Sequence, residues 1–293
     1  MTGSKTILLV DDDEDDRMFL FEALNEVIGE VKIVEMSNGS HLITYLETLD
    51  TDNFPELILL DMNLPGMSGL EILTLLKQDV KLSQIPVVMI STTSNTGLIA
   101  RAYEAGLNAF IIKPVTSSDY SMLARTIYTC FLRGELLEPL SNIVKPQKST
   151  SIVIIEDNDD HWHLLNFSFK HILPNTTLIR LRDRASTLDF FANNYKTLNP
   201  PPEMILVDLY LPSREFGLDV LDNIRYFTKI NRLPQVPVIM LSNSDHKEDI
   251  RAGYGGKANA YLVKPAEVAK WPIYFKNLRH LWSNSIIFPK SNR

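Results

Sequence analysis

The chain has 293 residues, enough for about two domains, and its 45% hydrophobic and 22% charged residues are typical of a globular protein. Its formal net charge of −7 argues against general nucleic-acid binding, and no apolar run approaches the about 18 residues that a membrane span needs. The single cysteine, Cys130, excludes an intramolecular disulfide and a multi-cysteine zinc site, and the acidic N-terminal region is not a secretory signal, so we expect a cytoplasmic protein without membrane contacts.

Apolar segments of the first half return in the same order in the second half. Each segment is short and ends in a polar residue, and the residues at its end are similar in both halves. Four ordered matches with a nearly constant offset indicate two duplicated domains rather than a short-period repeat. The matched segments are 7–12 and 153–157, 57–61 and 204–208, 86–91 and 237–242, and 108–114 and 259–265.

In chain order, the predicted elements alternate between strand and helix. The apolar segments predict strands buried on both faces, and residues 31–34 predict a further strand after the first helix. Leu20, Leu24 and Val27 have the spacing of one face of that helix. Five strands alternating with five helices in each half predict an α/β protein with two doubly wound parallel sheets and right-handed crossovers.

A linker separates the two predicted domains. Residues 133–151 contain Pro139 and Pro146 and end in a Lys-Ser-Thr-Ser sequence, so the linker is expected to begin at about residue 134. We therefore predict one domain at 1–147 and another at 148–293. Little chain follows the last predicted helix, and we expect no output domain.

Polar residues stand at the ends of four predicted strands of the first half. Asp11 and Asp12 follow the first strand, Asp61 the third, Ser91 the fourth and Lys113 the fifth. Ligands of such folds bind beyond the carboxyl ends of the strands, and the first and third strands are neighbours if the strand order is 2-1-3-4-5. Three converging carboxylates repel one another unless a cation is present, and their oxygens suit Mg²⁺. Mg²⁺, a lysine and a hydroxyl around one carboxylate can stabilise a transferring phosphoryl group, with that carboxylate as the nucleophile.

Each of these residues also has an ordinary structural interpretation. An acidic run such as 11–16 is commonly a solvated face or the charged start of a helix, and we expect only Asp11 and Asp12 to belong to the site. Asp15 and Asp16 are expected to cap or charge the next helix. A lone serine is commonly a helix cap, and a Lys-Pro pair is commonly a turn. The ordered recurrence of the whole set in the second half favours the functional interpretation.

At these residues each half resembles a receiver domain of the bacterial two-component response regulators. The resemblance spans nearly the whole chain and includes the sequence Asp-Met-Asn-Leu-Pro-Gly-Met-Ser-Gly at 61–69. It implies a flavodoxin-like (βα)₅ fold with strand order 2-1-3-4-5 in each half. It also implies phosphorylation of Asp61 and Asp208, with one Mg²⁺ per receiver.

The resemblance assigns the same roles in both halves. An acidic pair and the phosphoacceptor hold the metal, together with the main-chain carbonyl two residues after the acceptor. A hydroxyl and a lysine contact the phosphoryl group, and on phosphorylation the hydroxyl moves toward it while a switch aromatic ring turns inward. In the first half these residues are the pair Asp11 and Asp12, acceptor Asp61, carbonyl of Asn63, hydroxyl Ser91, lysine Lys113 and switch Phe110. In the second half they are the pair Glu156 and Asp157, acceptor Asp208, carbonyl of Tyr210, hydroxyl Ser242, lysine Lys264 and switch Tyr261.

The second half departs from the first in three places. The loop 209–216 is one residue longer, and Tyr210 places a ring beside the acceptor. Pro272 falls inside the expected last helix, where we expect it to break or kink the helix. His161 and His163 are two residues apart on a predicted helix and point to different faces, so they are not expected to bind a metal as a pair. The residue sets remain complete, and we expect both sites to be competent.

The expected function is that of a tandem-receiver response regulator. A histidine kinase would phosphorylate it, and it would signal through contacts with a downstream protein that the sequence does not identify. A phosphorelay or phosphate-sink element, which passes phosphate to a histidine phosphotransfer protein, fits the same residues. A scaffold with one silent receiver is a third alternative, which the completeness of both residue sets disfavours. In none of these roles is the protein a turnover enzyme, and no nucleic-acid partner is expected.

Overall fold

The computed structural model describes residues 5–134, 150–199, 202–233 and 235–289. These residues form two units. The first consists of the chain up to Gly134 together with Leu281–Pro289, and the second of the intervening described residues up to His280. Residues 135–149 of the predicted linker lie outside the described residues.

In the first unit, five parallel strands form one sheet in the order β2-β1-β3-β4-β5. Every residue of β3 and β4, two of the three inner strands, is buried, because helices flank the sheet and cover both of its faces. This arrangement confirms the predicted fold. The strands are β1 Lys5–Val10, β2 Val31–Met36, β3 Leu57–Asp61, β4 Val87–Ser91 and β5 Ala109–Ile112, and the helices are α1 Glu14–Ile28, α2 Gly39–Glu47, α3 Gly69–Gln78, α4 Thr96–Ala105 and α5 Ser117–Cys130.

The second unit repeats this topology, with strand order β7-β6-β8-β9-β10. The central strands are again apolar and fully buried, as the matched segments predict. The strands are β6 Thr150–Ile155, β7 Thr176–Leu181, β8 Met204–Asp208, β9 Val238–Ser242 and β10 Ala260–Val263, and the helices are α6 Asp159–Ile172, α7 Arg184–Asp189, α8 Arg214–Ile230, α9 Lys247–Gly255 and α10 Trp271–Ser285.

Short polar side chains begin many of these helices. The Ser68 hydroxyl accepts the backbone N–H of Glu71, and the Glu71 carboxylate accepts the backbone N–H of Ser68, which forms a capping box at the start of α3. Asp13 caps α1 and Asn158 caps α6 in the same region of the fold. These caps fix where the helices begin beside the strand ends.

The end of the chain differs from the sequence expectation in two ways. Pro272 is the second residue of α10, where no intrahelical acceptor is needed for its missing N–H, so the predicted break is wrong. A short 3₁₀ turn, Val268–Lys270, precedes the helix and delays its start. Leu281–Pro289 belong to the first unit, although the sequence placed them in the second domain.

Within the described part of the chain, every helix is too short or too polar to cross a membrane.

Candidate functional site

The predicted acidic residues of the first unit meet at the carboxyl ends of β1 and β3. These strands pair with Val10 opposite Leu60, so the residues that follow lie side by side. Asp11, Asp12 and Asp61 each offer a carboxylate oxygen within 4.8 Å of the others. Asp11 and Asp61 are buried and Asp12 is exposed. The sequence prediction of three converging carboxylates is therefore met in the first unit.

The start of α3 packs directly against the Asp61 end of β3. A Cβ atom placed on Gly69 would lie 2.2 Å from the Asp61 carbonyl oxygen, so only glycine fits there. Gly217 has the same position in the second unit, where a Cβ atom would lie 2.0 Å from the Leu209 carbonyl oxygen. The carboxylates of Asp61 and Asp208, the predicted phosphoacceptors, are thus presented from strand ends under a tightly packed helix.

Lys113 reaches this cluster from the end of β5. Its Nζ lies 2.9 Å from Asp11 Oδ2, 2.7 Å from Asp16 Oδ2 and 3.7 Å from Asp61 Oδ2. Burial alone would lower the pKa of Lys113, but hydrogen bonds to Asp16 and Asp11 outweigh it and raise the pKa. Lys113 is therefore a fixed positive charge, held closer to Asp11 and Asp16 than to Asp61.

Asp16 charges the first turn of α1, as expected, but its side chain also contacts the lysine of the cluster, which the sequence did not predict. It lies in the first turn of α1, but its carboxylate accepts hydrogen bonds from Lys113 and, at 3.1 Å, from the Tyr120 hydroxyl. Asp13 is the residue that caps the helix, accepting the backbone N–H of Asp16. The sequence alone placed Asp16 only as a helix charge.

Burial shapes the titration of the two innermost carboxylates. It raises the pKa of Asp11 and of Asp61, and the neighbouring Lys113 charge opposes the rise without cancelling it. An additional cation beside these groups would remove this cost. Their oxygens are the ligands that Mg²⁺ prefers, so the residues present fit a magnesium site.

In the second unit, Lys264 is the buried centre of the corresponding cluster. Its Nζ donates to Glu156 Oε2 at 2.8 Å and to Asp208 Oδ2 at 3.0 Å, and 1% of its side chain is exposed. Burial raises the pKa of Glu156 to about 7, although the Lys264 charge opposes the rise. Lys264 therefore contacts its acceptor carboxylate more closely than Lys113 contacts Asp61.

The raised pKa of Glu156 predicts a pH-dependent stability of the metal-free second unit. Between about pH 4.5 and pH 7 the folded state keeps a proton on Glu156 that the unfolded state has lost, so stability should fall as the pH rises through this window. Urea unfolding in EDTA at several pH values should show this fall, and Glu156→Gln should remove it. The control variant Glu267→Gln, which removes an exposed carboxylate, should retain the fall in stability. A pH profile of Glu156→Gln that matches the parent would contradict the assignment of this fall to Glu156.

His161 also belongs to this cluster, and the sequence did not assign it there. Its Nδ1 lies 3.1 Å from Lys264 Nζ and 3.5 Å from Glu156 Oε1. Burial and the Lys264 charge lower the pKa of His161, which leaves the ring nitrogen free to accept from the ammonium. His161 stands five residues after Glu156, just as Asp16 stands five residues after Asp11, and this shared spacing was the signal in the sequence.

The possible metal ligands of the second unit differ from the predicted set. Glu156, His161 and Asp208 form the compact group, whereas Asp157 is half-buried and is not part of it. The main-chain carbonyl of Asp157 accepts Nη2 of Arg180 at 3.0 Å. The two units thus present different donor sets beside their acceptors.

The hydroxyl and switch residues lie on the neighbouring strands, as predicted, and all four are fully buried. Ser91 and Ser242 end β4 and β9, and their hydroxyls accept the backbone N–H two residues later, at 3.3 Å and 3.0 Å. The rings of Phe110 and Tyr261 already point inward in this conformation. The outward ring conformation from which the expected inward turn would begin is therefore not the one observed in this structure.

The loop after Asp208 is tied down by a network that centres on Asp249. The Tyr210 hydroxyl donates to Asp249 Oδ2 at 3.0 Å, and Arg214 and Ser244 also donate to this carboxylate. Burial alone would raise the pKa of Asp249, but the hydrogen bonds from Ser244, Arg214 and Tyr210 outweigh it and lower the pKa. In the first unit, the residue at the Tyr210 position is the exposed Asn63. The predicted difference between the two loops thus has a defined structural basis.

Comparison with known proteins supports the resemblance of both halves to receiver domains. The family model described as the response regulator receiver domain matches twice, at residues 7–124 and 152–271. The probable methanogenesis regulatory protein FilR2 of Methanothrix harundinacea is 31% identical over 48% of this chain and 88% of its own length. The response regulator Rcp1 of Synechocystis is 30% identical over 44% of this chain and 89% of its own length. A crystal structure of the Mn²⁺-bound form of Rcp1 aligns with 29% identity over 49% of this chain and 99% of that chain, with a TM-score of 0.40.

Proposed function

This chain belongs to the response regulator receiver family, with one receiver domain in each unit, and from this we propose that it accepts phosphoryl groups on both Asp61 and Asp208. The observation that carries the proposal is the pairing of each buried acceptor carboxylate with a lysine and a second buried acidic residue. The proposed phosphodonor is a histidine kinase or a phosphotransfer protein, and the proposed output is contact with a downstream protein.

The side chains divide the work of phosphoryl transfer between them. One oxygen of Asp61 or Asp208 attacks phosphorus, and the bond from phosphorus to the donor nitrogen breaks, which leaves an aspartyl phosphate. Lys113 and Lys264 provide a fixed positive charge for the phosphoryl oxygens. Ser91 and Ser242 provide hydroxyl donors at the adjacent strand ends. A bound Mg²⁺ would neutralise further charge on these oxygens, with Asp12 and Asp61, or Asp208 and its neighbours, as ligands.

Single-site variants test the proposal directly. The protein is incubated with Mg²⁺ and acetyl phosphate as a small phosphodonor, and the phosphorylated forms are separated on a phosphate-affinity gel. We expect Asp61→Asn and Asp208→Asn each to retain one phosphorylation site and the double variant to retain none. Phosphorylation that persists in the double variant would refute the assignment. Failure of acetyl phosphate to modify the parent protein, under conditions in which it modifies a control receiver protein, would refute it as well.

We also predict one weak Mg²⁺ site in each unit. Binding to the folded state alone raises its stability, by about 1.4 kcal/mol when Mg²⁺ stands at about ten times its Kd. Thermal melting with increasing MgCl₂ should show this rise. Asp12→Asn should reduce the response of the first unit, because it removes a carboxylate ligand of the metal. Asp12 is exposed, so the substitution leaves the packing of the core unchanged. An Mg²⁺ response identical in the parent and in an Asp12→Asn, Asp208→Asn double variant would contradict the prediction.

A further inference from the structure

A short segment near the end of the described chain adds to the sheet of the first unit. Ile286 forms an antiparallel bridge with Ile111, and the Ile287 N–H donates to the Phe110 carbonyl at 2.8 Å. Strand β5 is the last strand of this sheet, so its outer edge would otherwise present unpaired backbone groups. Residues 286–288, which we call the C-terminal strand, occupy that edge in the manner of a peptide added to a sheet.

Tyr103 of α4 closes a ring of hydrogen bonds around this contact. Its hydroxyl donates to the Ile287 carbonyl at 2.7 Å and accepts the Phe110 N–H at 3.0 Å. Burial raises the pKa of Tyr103, so the hydroxyl remains protonated and able to donate. The backbone of Phe110, the predicted switch residue, is therefore bonded both to Tyr103 and to the C-terminal strand.

Side-chain packing makes the contact specific. The rings of Phe288 and Tyr103 stack with centroids 4.5 Å apart, and Trp282 stacks on Phe288 at 6.1 Å. Ile287 and Phe288 pack against the hydrophobic core of the first unit. The Thr126 hydroxyl on α5 donates to the Ser285 hydroxyl at 3.1 Å. The contact thus combines backbone pairing, aromatic stacking and core packing.

We propose that the C-terminal strand is an intramolecular ligand of the first receiver, and that its binding is coupled to phosphorylation of Asp61. The inference rests on the proposed function, since it requires a phosphoryl group on Asp61. The C-terminal strand then occupies the edge of β5, and any partner that binds the same edge has to displace it.

Strand β5 provides the physical link between the two sites. Ser91 pairs with Ile112, and its carbonyl accepts the Lys113 N–H at 3.0 Å. The two residues before Ile112 hold the C-terminal strand. A movement of Ser91 toward a phosphoryl group therefore acts on the same short strand that binds residues 286–288.

The direction of the coupling follows from the position of the Phe110 ring. Phosphorylation is expected to favour the inward ring, and the ring is inward in this structure, where the C-terminal strand is bound. A ligand stabilises the conformation that it binds, and coupling between two sites is reciprocal. Phosphorylation should therefore strengthen strand binding, and strand binding should strengthen the phosphorylated form.

The second receiver supplies an internal control. Tyr254 takes the place of Tyr103, and its hydroxyl lies 3.4 Å from the Tyr261 N–H. Within the described residues, β10 pairs with β9. The same Tyr→Phe substitution can thus be made in the receiver that carries Asp61 and in the receiver that no longer responds in Asp208→Asn protein.

The test uses beryllofluoride with Mg²⁺ as the phosphoryl mimic on full-length Asp208→Asn protein, so that only Asp61 responds. Hydrogen exchange should show protection of the loop after Asp61 and slower exchange at 286–288. Tyr103→Phe and Ile287→Pro should weaken beryllofluoride binding by at least about fivefold, the lower end of typical couplings, because each removes a hydrogen bond to the strand. Tyr254→Phe should leave the affinity unchanged.

The possible outcomes separate this inference from the proposed function. Protection at Asp61 without any change at 286–288, or parent-like affinity in both Tyr103→Phe and Ile287→Pro, would overturn the coupling alone. No protection anywhere in the protein would overturn the proposed function and the coupling with it. Melting temperatures of the two variants, measured without beryllofluoride, establish that they are folded, and Tyr103→Phe retains the ring that stacks on Phe288.

Discussion

At a pH above the Glu156 pKa of about 7, replacing Lys264 with methionine should destabilise the metal-free second receiver by about 3–5 kcal/mol, the cost of leaving buried charge without its partner. The Lys264 ammonium is the cation shared by Glu156 and Asp208, at 2.8 Å and 3.0 Å, and it is almost completely removed from water. Methionine fills a similar volume, so the loss reports charge rather than a cavity. Amide exchange in β6 and β8, measured in EDTA, should accelerate by about two to four orders of magnitude.

Matched variants separate the electrostatic cause from a packing defect. Adding Glu156→Gln to Lys264→Met removes one of the two stranded carboxylates and should recover much of the loss. Lys113→Met should cost less, because Asp16, one of its carboxylate partners, is 27% exposed and Asp61 is 3.7 Å away. Added Mg²⁺ should also restore part of the stability. A loss that Glu156→Gln leaves unchanged would show that the methionine packs poorly and would contradict the prediction.

The fold follows from local patterns that the sequence displays directly. Runs such as 57–61 and 204–208 are apolar at every position before the final aspartate, and such runs indicate a strand covered on both faces without knowledge of its partners. Because parallel strands end at a common edge, the polar residue at the end of each run also locates the site. The eight strands of the matched segments and the positions of Asp61 and Asp208 were predictable for this reason.

The sequence analysis missed residues whose role depends on where the side chain points in the folded protein, because residue type alone does not reveal this direction. Asp16 and His161 lie in the first turns of α1 and α6, where polar residues are usual, and apart from their shared spacing from Asp11 and Glu156 nothing local indicates that their side chains turn back to a lysine. The C-terminal strand is three residues long and pairs with residues far away in the sequence, so it carries no periodic signal. Pro272 was misjudged because the start of α10 lies one turn later than the matched helix of the first half implies.

The aspartyl phosphate on Asp208 should be longer-lived than that on Asp61. Hydrolysis requires a water molecule in line with the bond between phosphorus and the Asp oxygen. Both Tyr210 and Asn63 follow their aspartates by two residues and are exposed, but Tyr210 carries a large ring anchored through Asp249, whereas the Asn63 side chain is small. A steric barrier of about 1.4 kcal/mol in the second receiver would slow hydrolysis about tenfold. Asp61→Asn and Asp208→Asn proteins, each with one acceptor, allow phosphate-affinity gels to compare the two rates.

Substitutions at Tyr210 identify the cause of the slower loss. Tyr210→Asn should raise the rate at Asp208 toward that of the first receiver, and Asn63→Tyr should slow the first only partly, because Leu98 stands where the second receiver has Asp249. Tyr210→Phe keeps the ring but removes the hydroxyl that bonds to Asp249, so an intermediate rate would show that the anchored position of the ring matters in addition to its bulk. Loss from Asp208 that is as fast as loss from Asp61 would contradict the shielding, since each single-acceptor protein keeps the receiver under measurement intact.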